Sequence, residues 1–354
     1  MTHLELHQVG IDFPDFKVEN ISFKLDKGKL LVLLGHSGSG KTSLIQAVCG
    51  ILPVSQGSIL VNGSCINQVP IHKRKIGMVF QDFALFPHLN VADNIAFGLK
   101  LKQKKEVNHR VAELLELIEL KGYEKRKVYQ LSGGEKQRIA LARTLASEPE
   151  IILFDEPMSA LDESLRDRLR STIKSIIHRL NITTIYVTHD QNEAFFLADY
   201  IGIMNSGRLI RYDSSDQVWL HPNNQITADF LGIQNQLDGY VKTFLHTHEK
   251  TSVYQLDVNG LLFIFKSEKS LKTGQFVRLC FRSESVYLSF KKESGNSFEA
   301  RIKDYQIIGS AIDFQLLVSD VNINCRTFRT LNPADIHHHQ LFCTIPETAL
   351  SIIV

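Results

Sequence analysis

The order of apolar and polar positions in the first part of the chain predicts strands that alternate with helices. Residues 4–33 alternate in the manner of strands, and Leu30–Leu34 is apolar throughout, as in a strand buried on both faces of a parallel sheet. Residues 77–80, residues 151–154 and Thr183–Thr188 predict further strands. Helices are predicted where apolar residues recur three or four positions apart, at Val107, Val111, Leu114, Leu115 and Ile118 and at Leu165, Leu169, Ile173, Ile176, Ile177 and Leu180. Together these elements predict an α/β fold.

The pattern changes near Phe230, Leu231 and Gly232. From Asn235 onward helical spacing nearly vanishes, and short alternating runs such as residues 277–282 are separated by turns rich in Asn, Gly, Ser and Lys. Short strands at this spacing predict a small β-barrel. The sequence therefore predicts two domains, an α/β domain at 1–232 with a helical insert at about 83–145, and a β-rich domain at 236–354.

A phosphate-binding loop is predicted directly after the strand Leu30–Leu34. Residues 35–42 read Gly-His-Ser-Gly-Ser-Gly-Lys-Thr, and the helical pattern that follows has a natural stop at Gly50. Glycines allow successive N–H groups to surround phosphates, a lysine adds a point charge for the β and γ groups, and a threonine hydroxyl can bind Mg²⁺. The predicted nucleotide contacts are Gly35, Ser37, Gly38, Gly40, Lys41, Thr42 and Ser43.

Three titratable residues follow predicted strands of the same sheet. Asp155 and Glu156 end the strand that begins at Ile151, and His189 follows Thr183–Thr188. Ligands of open α/β sheets bind at the carboxyl ends of the strands. We therefore expect Asp155 to hold the metal, Glu156 to orient or deprotonate a water, and His189 to contact a γ-phosphate. The alternative, carboxylates and a histidine with structural roles only, is disfavoured by the phosphate loop upstream.

A second element of nucleotide-binding character lies about ninety residues after the phosphate loop. Residues 131–138 read Leu-Ser-Gly-Gly-Glu-Lys-Gln-Arg, and the pattern that follows predicts a helix beginning at this turn. Glycines permit close approach of a ligand to the backbone, and the free N–H groups of a helix start can hold an anion. The turn therefore predicts a second grip on a nucleotide, although a helix that merely begins with Ser-Gly-Gly is the simpler alternative.

Taken in order, these motifs, together with Gln81 and the run Ser159-Ala160-Leu161-Asp162, resemble the ATP-binding subunit of an ABC transporter over the first ~230 residues. The resemblance implies a P-loop ABC ATPase fold with a helical subdomain, and hydrolysis of Mg-ATP. It also implies residue roles. Phe13 would stack on adenine, although a phenylalanine at a strand end is more often a core residue. Gln81 would touch Mg²⁺ and the attacking water, and His189 would be the switch residue. Ser132, Gly133 and Gly134 would hold the γ-phosphate of the other subunit's nucleotide, and Asp162 would link the two sites of the dimer.

The partners that the resemblance implies are a second ATPase subunit, two integral-membrane permease subunits and an extracytoplasmic substrate-binding protein. The ATPase would be peripheral, at the cytoplasmic face of the inner membrane, and residues 83–89 would grip the permease. The β-rich domain resembles the oligonucleotide-fold-like regulatory domain of importer ATPases for iron(III), polyamines, molybdate, sulfate and sugars. This likeness depends on the junction at residues 230–232 and the strand end at residues 281–284. The region from phosphate loop to signature favours iron(III) as cargo, with polyamine or another small solute as the alternative.

One residue departs from the family pattern. The position after Gly134 is most often glutamine in this family, whereas this chain has Glu135. A carboxylate beside a phosphate is unfavourable, but it could instead face away or cap the start of the helix.

Composition limits the remaining possibilities. The 354 residues carry a formal net charge of +2, too balanced for a protein that binds nucleic acid by neutralising phosphates. Five scattered cysteines without a C-x-x-C pair predict buried thiols in a reducing cytoplasm. Neither a signal peptide at the first residues nor an apolar run of ~20 residues is predicted. A soluble ABC ATPase acting on ribosomes or DNA and a stand-alone ligand sensor remain as minor alternatives.

Overall fold

The computed structural model describes residues 2–99, 104–159, 163–248, 251–328 and 340–354. It divides the chain into two compact units, Met1–Ser215 and Asp216–Val354. The boundary of the ATP-binding domain near residue 232 stays a prediction.

The first unit contains two sheets. The antiparallel sheet has the order β2-β1-β4-β5 and comprises β1 (Thr2–Asp12), β2 (Lys17–Asp26), β4 (Gln56–Val61) and β5 (Ser64–Cys65). The second sheet has six strands in the order β10-β9-β3-β8-β7-β6, parallel except for the β9–β10 hairpin. Its strands are β3 (Leu30–Leu34), β6 (Ile76–Val79), β7 (Ile151–Asp155), β8 (Thr183–Thr188), β9 (Tyr200–Asn205) and β10 (Arg208–Ser214). Every residue of β3, β7 and β8 is buried, which explains why these segments, apart from Asp155 at the end of β7, are apolar, aromatic or β-branched on both faces.

Helices cover these sheets and form the predicted helical insert. They are α1 (Lys41–Cys49), α2 (Val91–Ala96), α3 (Lys104–Leu117), α4 (Gly133–Ala146), α5 (Glu163–Leu180) and α6 (Gln191–Leu197). In α5, Leu169, Ile173, Ile176 and Ile177 are buried, whereas Leu165 and Leu180, at the ends of the same pattern, are more than a third exposed. The helical spacing read from the sequence therefore marks the buried face of α5, except at its two ends.

Helix α1 is fixed at its carboxyl end by a buried cation. It stops at Gly50, whose left-handed backbone (φ +93°) lets its N–H bond to the carbonyls of Gln46 and Ala47. Arg74, only 8% exposed, donates to the carbonyl oxygens of Ala47 and Val48, each at 3.0 Å. A positive charge at this position interacts favourably with the negative end of the helix dipole.

The second unit begins with the short helices α7 (Ser215–Leu220) and α8 (Gln225–Phe230) and continues as antiparallel strands. One five-stranded sheet has the order β13-β12-β11-β14-β20, with β11 (Asn235–His248), β12 (Thr251–Val258), β13 (Leu261–Ser267), β14 (Phe276–Phe281) and β20 (Ser351–Ile353). The other has the order β15-β19-β16-β17-β18, with β15 (Tyr287–Ser289), β16 (Ser297–Ile308), β17 (Ala311–Val318), β18 (Val321–Thr327) and β19 (Leu341–Thr344). Both sheets contribute to one apolar core, which includes Phe263, Leu279, Phe314 and Ile323.

All five cysteines are free thiols; four of them are buried, as the sequence predicts, but that prediction is wrong for Cys65, which is exposed. Burial raises the pKa of Cys325 and of Cys343 to about 12, so neither is a thiolate at neutral pH. Within the described residues, no helix has both the length and the apolar character needed to span a bilayer.

A truncation tests whether the two units fold independently. Among the described residues, one apolar cluster is drawn from residues 4–204 and another from residues 241–350, and no residue belongs to both. We expect a chain of residues 1–235 to fold and to bind Mg-ATP, because it keeps every residue of the first cluster and cuts the second unit only at the start of β11. Circular dichroism melting and nucleotide binding measure this. An insoluble or ATP-blind product would mean that the first domain needs the second one to fold.

Candidate functional site

The parallel strands bring the predicted catalytic residues to one edge of the six-stranded sheet. In the register of the sheet, Leu34 of β3 lies beside Thr188 of β8, and Asp155 of β7 lies beside Val187. The phosphate loop, His189 and Glu156 therefore leave the sheet next to one another. Residues 110 or more positions apart in the sequence meet here because the carboxyl ends of parallel strands coincide.

Two glycines of the phosphate loop are required by the space around them. A Cβ at Gly35 would lie 2.3 Å from the carbonyl oxygen of Met204, and a Cβ at Gly40 would lie 2.8 Å from Cγ2 of Val18. Gly40 also has a φ of +99°, and Gly38 has a φ of +78° with open space beside it. A loop of this shape brings the backbone near a ligand without side chains in the way.

Lys41 is buried at the start of α1 and is held by the loop itself. Its Nζ donates to the carbonyl oxygens of Gly35 (2.8 Å) and His36 (2.9 Å), and it lies 3.4 Å from Oγ of Ser39. Burial lowers the pKa of Lys41, while the carboxylates of Glu156 and Asp155 act to raise it. Phosphate oxygens are stronger acceptors for an ammonium than carbonyl oxygens. The site is therefore suited to exchange these contacts for an anion.

Thr42 and Asp155 form the pair predicted to hold Mg²⁺. The Thr42 hydroxyl donates to Oδ1 of Asp155 at 2.7 Å, and Asp155 is 7% exposed. Burial raises the pKa of Asp155, and the nearby Glu156 adds to this, whereas the Thr42 hydrogen bond and Lys41 lower it. A hydroxyl and a carboxylate are oxygen donors of the kind that Mg²⁺ takes, and a buried carboxylate gains from a cation beside it. The donor set therefore fits the predicted Mg²⁺ site.

Glu156 and His189 are in contact. Oε2 of Glu156 lies 3.3 Å from Nδ1 of His189, and the Glu156 side chain is 20% exposed. The Glu156 backbone is left-handed (φ +41°). The N–H of Glu156 bonds to the carbonyl of Val187, and the hydroxyl of Ser159 donates to the carbonyl of Glu156. A left-handed backbone in a residue other than glycine is uncommon and occurs often at functional sites. The arrangement places a carboxylate and an imidazole side by side, where both can face the same water.

The Leu-Ser-Gly-Gly turn does begin a helix, as the sequence predicts. Ser132 is the residue before α4, and its Oγ accepts from the N–H of Glu135 at 3.3 Å. In return, Oε2 of Glu135 accepts from the N–H of Ser132 at 2.8 Å, and Oε1 accepts from the hydroxyl of Tyr123 at 2.8 Å. Burial alone would raise the pKa of Glu135, but these hydrogen bonds lower it. The unusual carboxylate therefore caps the helix and stays ionised.

No contact within the described part of the chain requires position 134 to be a glycine. A Cβ at this position would meet no heavy atom within 4 Å. A glycine inside a helix costs about 0.5–1 kcal/mol relative to alanine. A second molecule that approaches the backbone at Gly134 would explain why this cost in stability is tolerated. The same helix contacts β6 through the Thr144 hydroxyl, ten residues and about 15 Å beyond Gly134.

The remaining residues predicted from the sequence make fewer contacts with the catalytic groups in the described structure. Gln81 is exposed, two residues after β6, and Ser37 is exposed on the loop. Phe13 is half-buried, with its ring centroid 6.3 Å from that of Phe16. Gly133 opens α4 and Ser43 is half-buried in α1, whereas Asp162 lies outside the described residues.

The sequence analysis missed two residues at the loop. A Cβ at Gly40 would lie 3.3 Å from Cζ of Phe16. The Phe16 ring therefore borders the phosphate loop, and it also lies beside the ring of Phe13. Ser39 is 4% exposed and lies beside both Lys41 and the position that a Gly35 side chain would fill. The pair Phe13 and Phe16 was visible as two aromatics three positions apart, but only the fold shows which ring approaches Gly40.

Comparisons with known proteins agree with this geometry. A family model described as ABC transporter matches residues 18–159. The structure of cbiO1 from Clostridium perfringens, part of the ABC transporter complex cbiONQ, is 28% identical with a TM-score of 0.58, covering 62% of this chain and 91% of that chain. MJ0796, a bacterial ABC transporter cassette, is 28% identical with a TM-score of 0.54, covering 60% of this chain and 98% of that chain. The same cassette was also solved as a dimer in a post-hydrolysis state bound to ADP and Pi, with the same identity, coverage and TM-score. This chain therefore carries an ABC transporter ATP-binding domain with the P-loop α/β fold, and it is an ATPase.

Proposed function

We propose that this protein is the ATP-hydrolysing subunit of an ABC importer. Two copies enclose two Mg-ATP molecules, each nucleotide lying between the phosphate loop of one copy and residues 132–134 of the other. Residues 83–89 dock on two integral-membrane permease subunits at the cytoplasmic face of the inner membrane, and an extracytoplasmic binding protein delivers the cargo.

The observation that carries this proposal is the separation of two nucleotide-binding elements in one chain. Thr42, Asp155, Glu156 and His189 meet at one sheet edge, with contacts of 2.7 Å between the first pair and 3.3 Å between the second. Ser132 is exposed at the start of α4, and a Cβ at Gly134 would meet no heavy atom within 4 Å, so no contact within the described residues explains this glycine. Each chain then provides half of two sites, and a second copy completes them.

The residues present support a simple hydrolytic mechanism. Lys41 and the loop N–H groups bind the β- and γ-phosphates, and Thr42 and Asp155 would hold Mg²⁺, which would supply charge neutralisation to the phosphates. Glu156 accepts a proton from the water as its oxygen bonds to the γ-phosphorus and the bond to the β,γ-bridging oxygen breaks. His189 keeps the Glu156 carboxylate in position through their contact and faces the γ-phosphate.

Import rather than export is supported by the second unit, whose two antiparallel sheets suit the regulatory domain that the sequence resembles. Iron(III) is the proposed cargo, on the likeness of residues 83–89 and their surroundings to iron-importer ATPases, with polyamine as the alternative. A role on DNA or ribosomes is less consistent with the balanced charge and the single phosphate loop.

The first prediction concerns the general base. Glu156→Gln should retain ATP binding and lower turnover by about 10²-fold or more, because an amide cannot accept the proton. It should also accumulate an ATP-bound dimer on size exclusion. Glu150→Gln is the matched control, since Glu150 precedes the same strand β7 that Glu156 follows, and it should turn over normally. Near-normal turnover of Glu156→Gln would remove this carboxylate from the mechanism.

The second prediction concerns the shared site. Ser132→Arg should bind ATP as a monomer and fail to dimerise with ATP, because a bulky cation fills the place of the other subunit's γ-phosphate. Ser132→Ala is the control, since it removes the cap at a cost of about 1 kcal/mol without adding bulk, and it should still dimerise.

Mixing the variants Ser132→Arg and Lys41→Ala tests the arrangement across the two chains. Each mixed dimer would have one site damaged in both halves and one intact site, so activity should return in the mixture. No recovery on mixing, or full activity of each variant alone, contradicts the proposed sandwich.

The third prediction concerns cargo. In proteoliposomes that contain the complete transporter and its binding protein, ATP enclosed in the lumen, on the same side as the ATPase subunits, should drive uptake of radiolabelled iron(III) and not of spermidine. A transporter assembled with Glu156→Gln is the negative control. Uptake of spermidine alone would replace iron(III) by the polyamine alternative and leave the proposed ATPase mechanism unchanged.

A further inference from the structure

Residues 83–89 follow Gln81 and form a segment that we name the docking segment. Its first two residues, Phe83 and Ala84, both have a left-handed backbone, with φ values of +64° and +47°. Residues with a Cβ rarely adopt this conformation, and two in succession are less common still. The segment must therefore be held in this shape by contacts from elsewhere in the fold.

Arg143 supplies the contacts that hold this turn. Its Nη1 donates to the carbonyl of Ala84 at 2.6 Å, and its Nη2 donates to the carbonyl of Phe83 at 3.0 Å. The centre of the guanidinium also lies 5.5 Å from the ring centroid of Phe86. A planar fork can bond two adjacent carbonyls at once, which a lysine cannot do in the same geometry.

Arg143 belongs to α4, the helix that begins at Ser132. Eleven residues separate the two positions, which corresponds to about 16 Å of helix. An α-helix of this length is stiff along its axis. A displacement of its first turn is therefore carried to the last turn, where Arg143 grips the docking segment.

A second clamp connects the docking segment to the same helical region. Asn94 of α2 is fully buried, and its side chain bonds both the N–H (2.8 Å) and the carbonyl (3.1 Å) of Phe86. The N–H of Val91, at the start of α2, bonds to the carbonyl of Arg126. The neighbouring Tyr123 bonds Glu135 at the start of α4. The docking segment is therefore joined to both ends of α4.

We propose that Arg143 is a positioning residue that transmits movement of α4 to the docking segment. When residues 132–134 engage the nucleotide of the second copy, α4 moves, and Arg143 moves the Phe83–Ala84 turn with it. This inference rests on the proposed function, because it needs ATP-driven pairing of two copies. It adds the route by which pairing reaches the surface assigned to the permease.

The test measures hydrogen exchange of residues 82–89 with and without Mg-ATP, in full-length chains that carry Glu156→Gln so that the nucleotide is retained. Arg143→Met keeps an apolar side chain of similar reach and removes the fork. It should make exchange in the segment about 10-fold faster and abolish its response to ATP, because the left-handed turn is no longer held. Arg143→Lys should restore part of the ATP response. Arg110→Met is the matched control at the same end of α4, since Arg110 of α3 donates to the carbonyl of Leu145 instead, and it should leave both quantities unchanged.

The outcomes separate the two proposals. If the Glu156→Gln parent does not dimerise with ATP, the proposed function fails. If the parent dimerises but Arg143→Met leaves exchange and the ATP response of residues 82–89 as in the parent, the positioning role of Arg143 is wrong. If Arg143→Met lowers the melting temperature but Arg143→Lys, with a normal melting temperature, shows no loss of ATP response, the role of Arg143 is structural only and the inference is overturned.

Discussion

The site depends on one constraint, the burial of opposite charges at the edge of an apolar sheet. Lys41 is 4% exposed and Asp155 is 7% exposed. Burial lowers the pKa of the lysine and raises that of the aspartate, so both charged forms are disfavoured there. Carbonyls of the loop and the hydroxyl of Thr42 compensate part of this cost. A phosphate beside the cation and the proposed Mg²⁺ beside the carboxylate would compensate more.

Helix α1 and the strained residues around it keep these charges in place. Its first turn carries Lys41 and Thr42, and its last turn is neutralised by Arg74, which bonds the carbonyls of Ala47 and Val48. Gly40, directly before α1, and Glu156, directly after β7, both have left-handed backbone, and the N–H of Glu156 bonds to the carbonyl of Val187 in β8. Such conformations are unfavourable in isolation and persist only where the surrounding structure determines them. The rigid sheet therefore provides the geometry that hydrolysis needs.

The residues at the start of helix α4 have two roles, as a helix cap and as a proposed contact to a second nucleotide. Ser132 and Glu135 cap the helix reciprocally, and the cap orients the N–H groups proposed to face a second nucleotide. Tyr123 holds the carboxylate from the other side. Glu135 therefore serves as a helix cap, and its charge is directed into these hydrogen bonds rather than being left free near a phosphate.

The sequence by itself determined the fold class and the nucleotide motifs, because both are written in local patterns. Strands such as Leu30–Leu34 are apolar at every position, and the loop at residues 35–42 has a fixed spacing that chemistry dictates. Its prediction that Glu135 either faces away or caps the helix was settled only by the structure. The contacts of Arg143 with Phe83 and Ala84, of Arg74 with α1, and of Phe16 with Gly40 had no sequence signal. Each joins residues whose proximity is produced by tertiary packing, and a single sequence carries no record of which distant side chain a given carbonyl will meet.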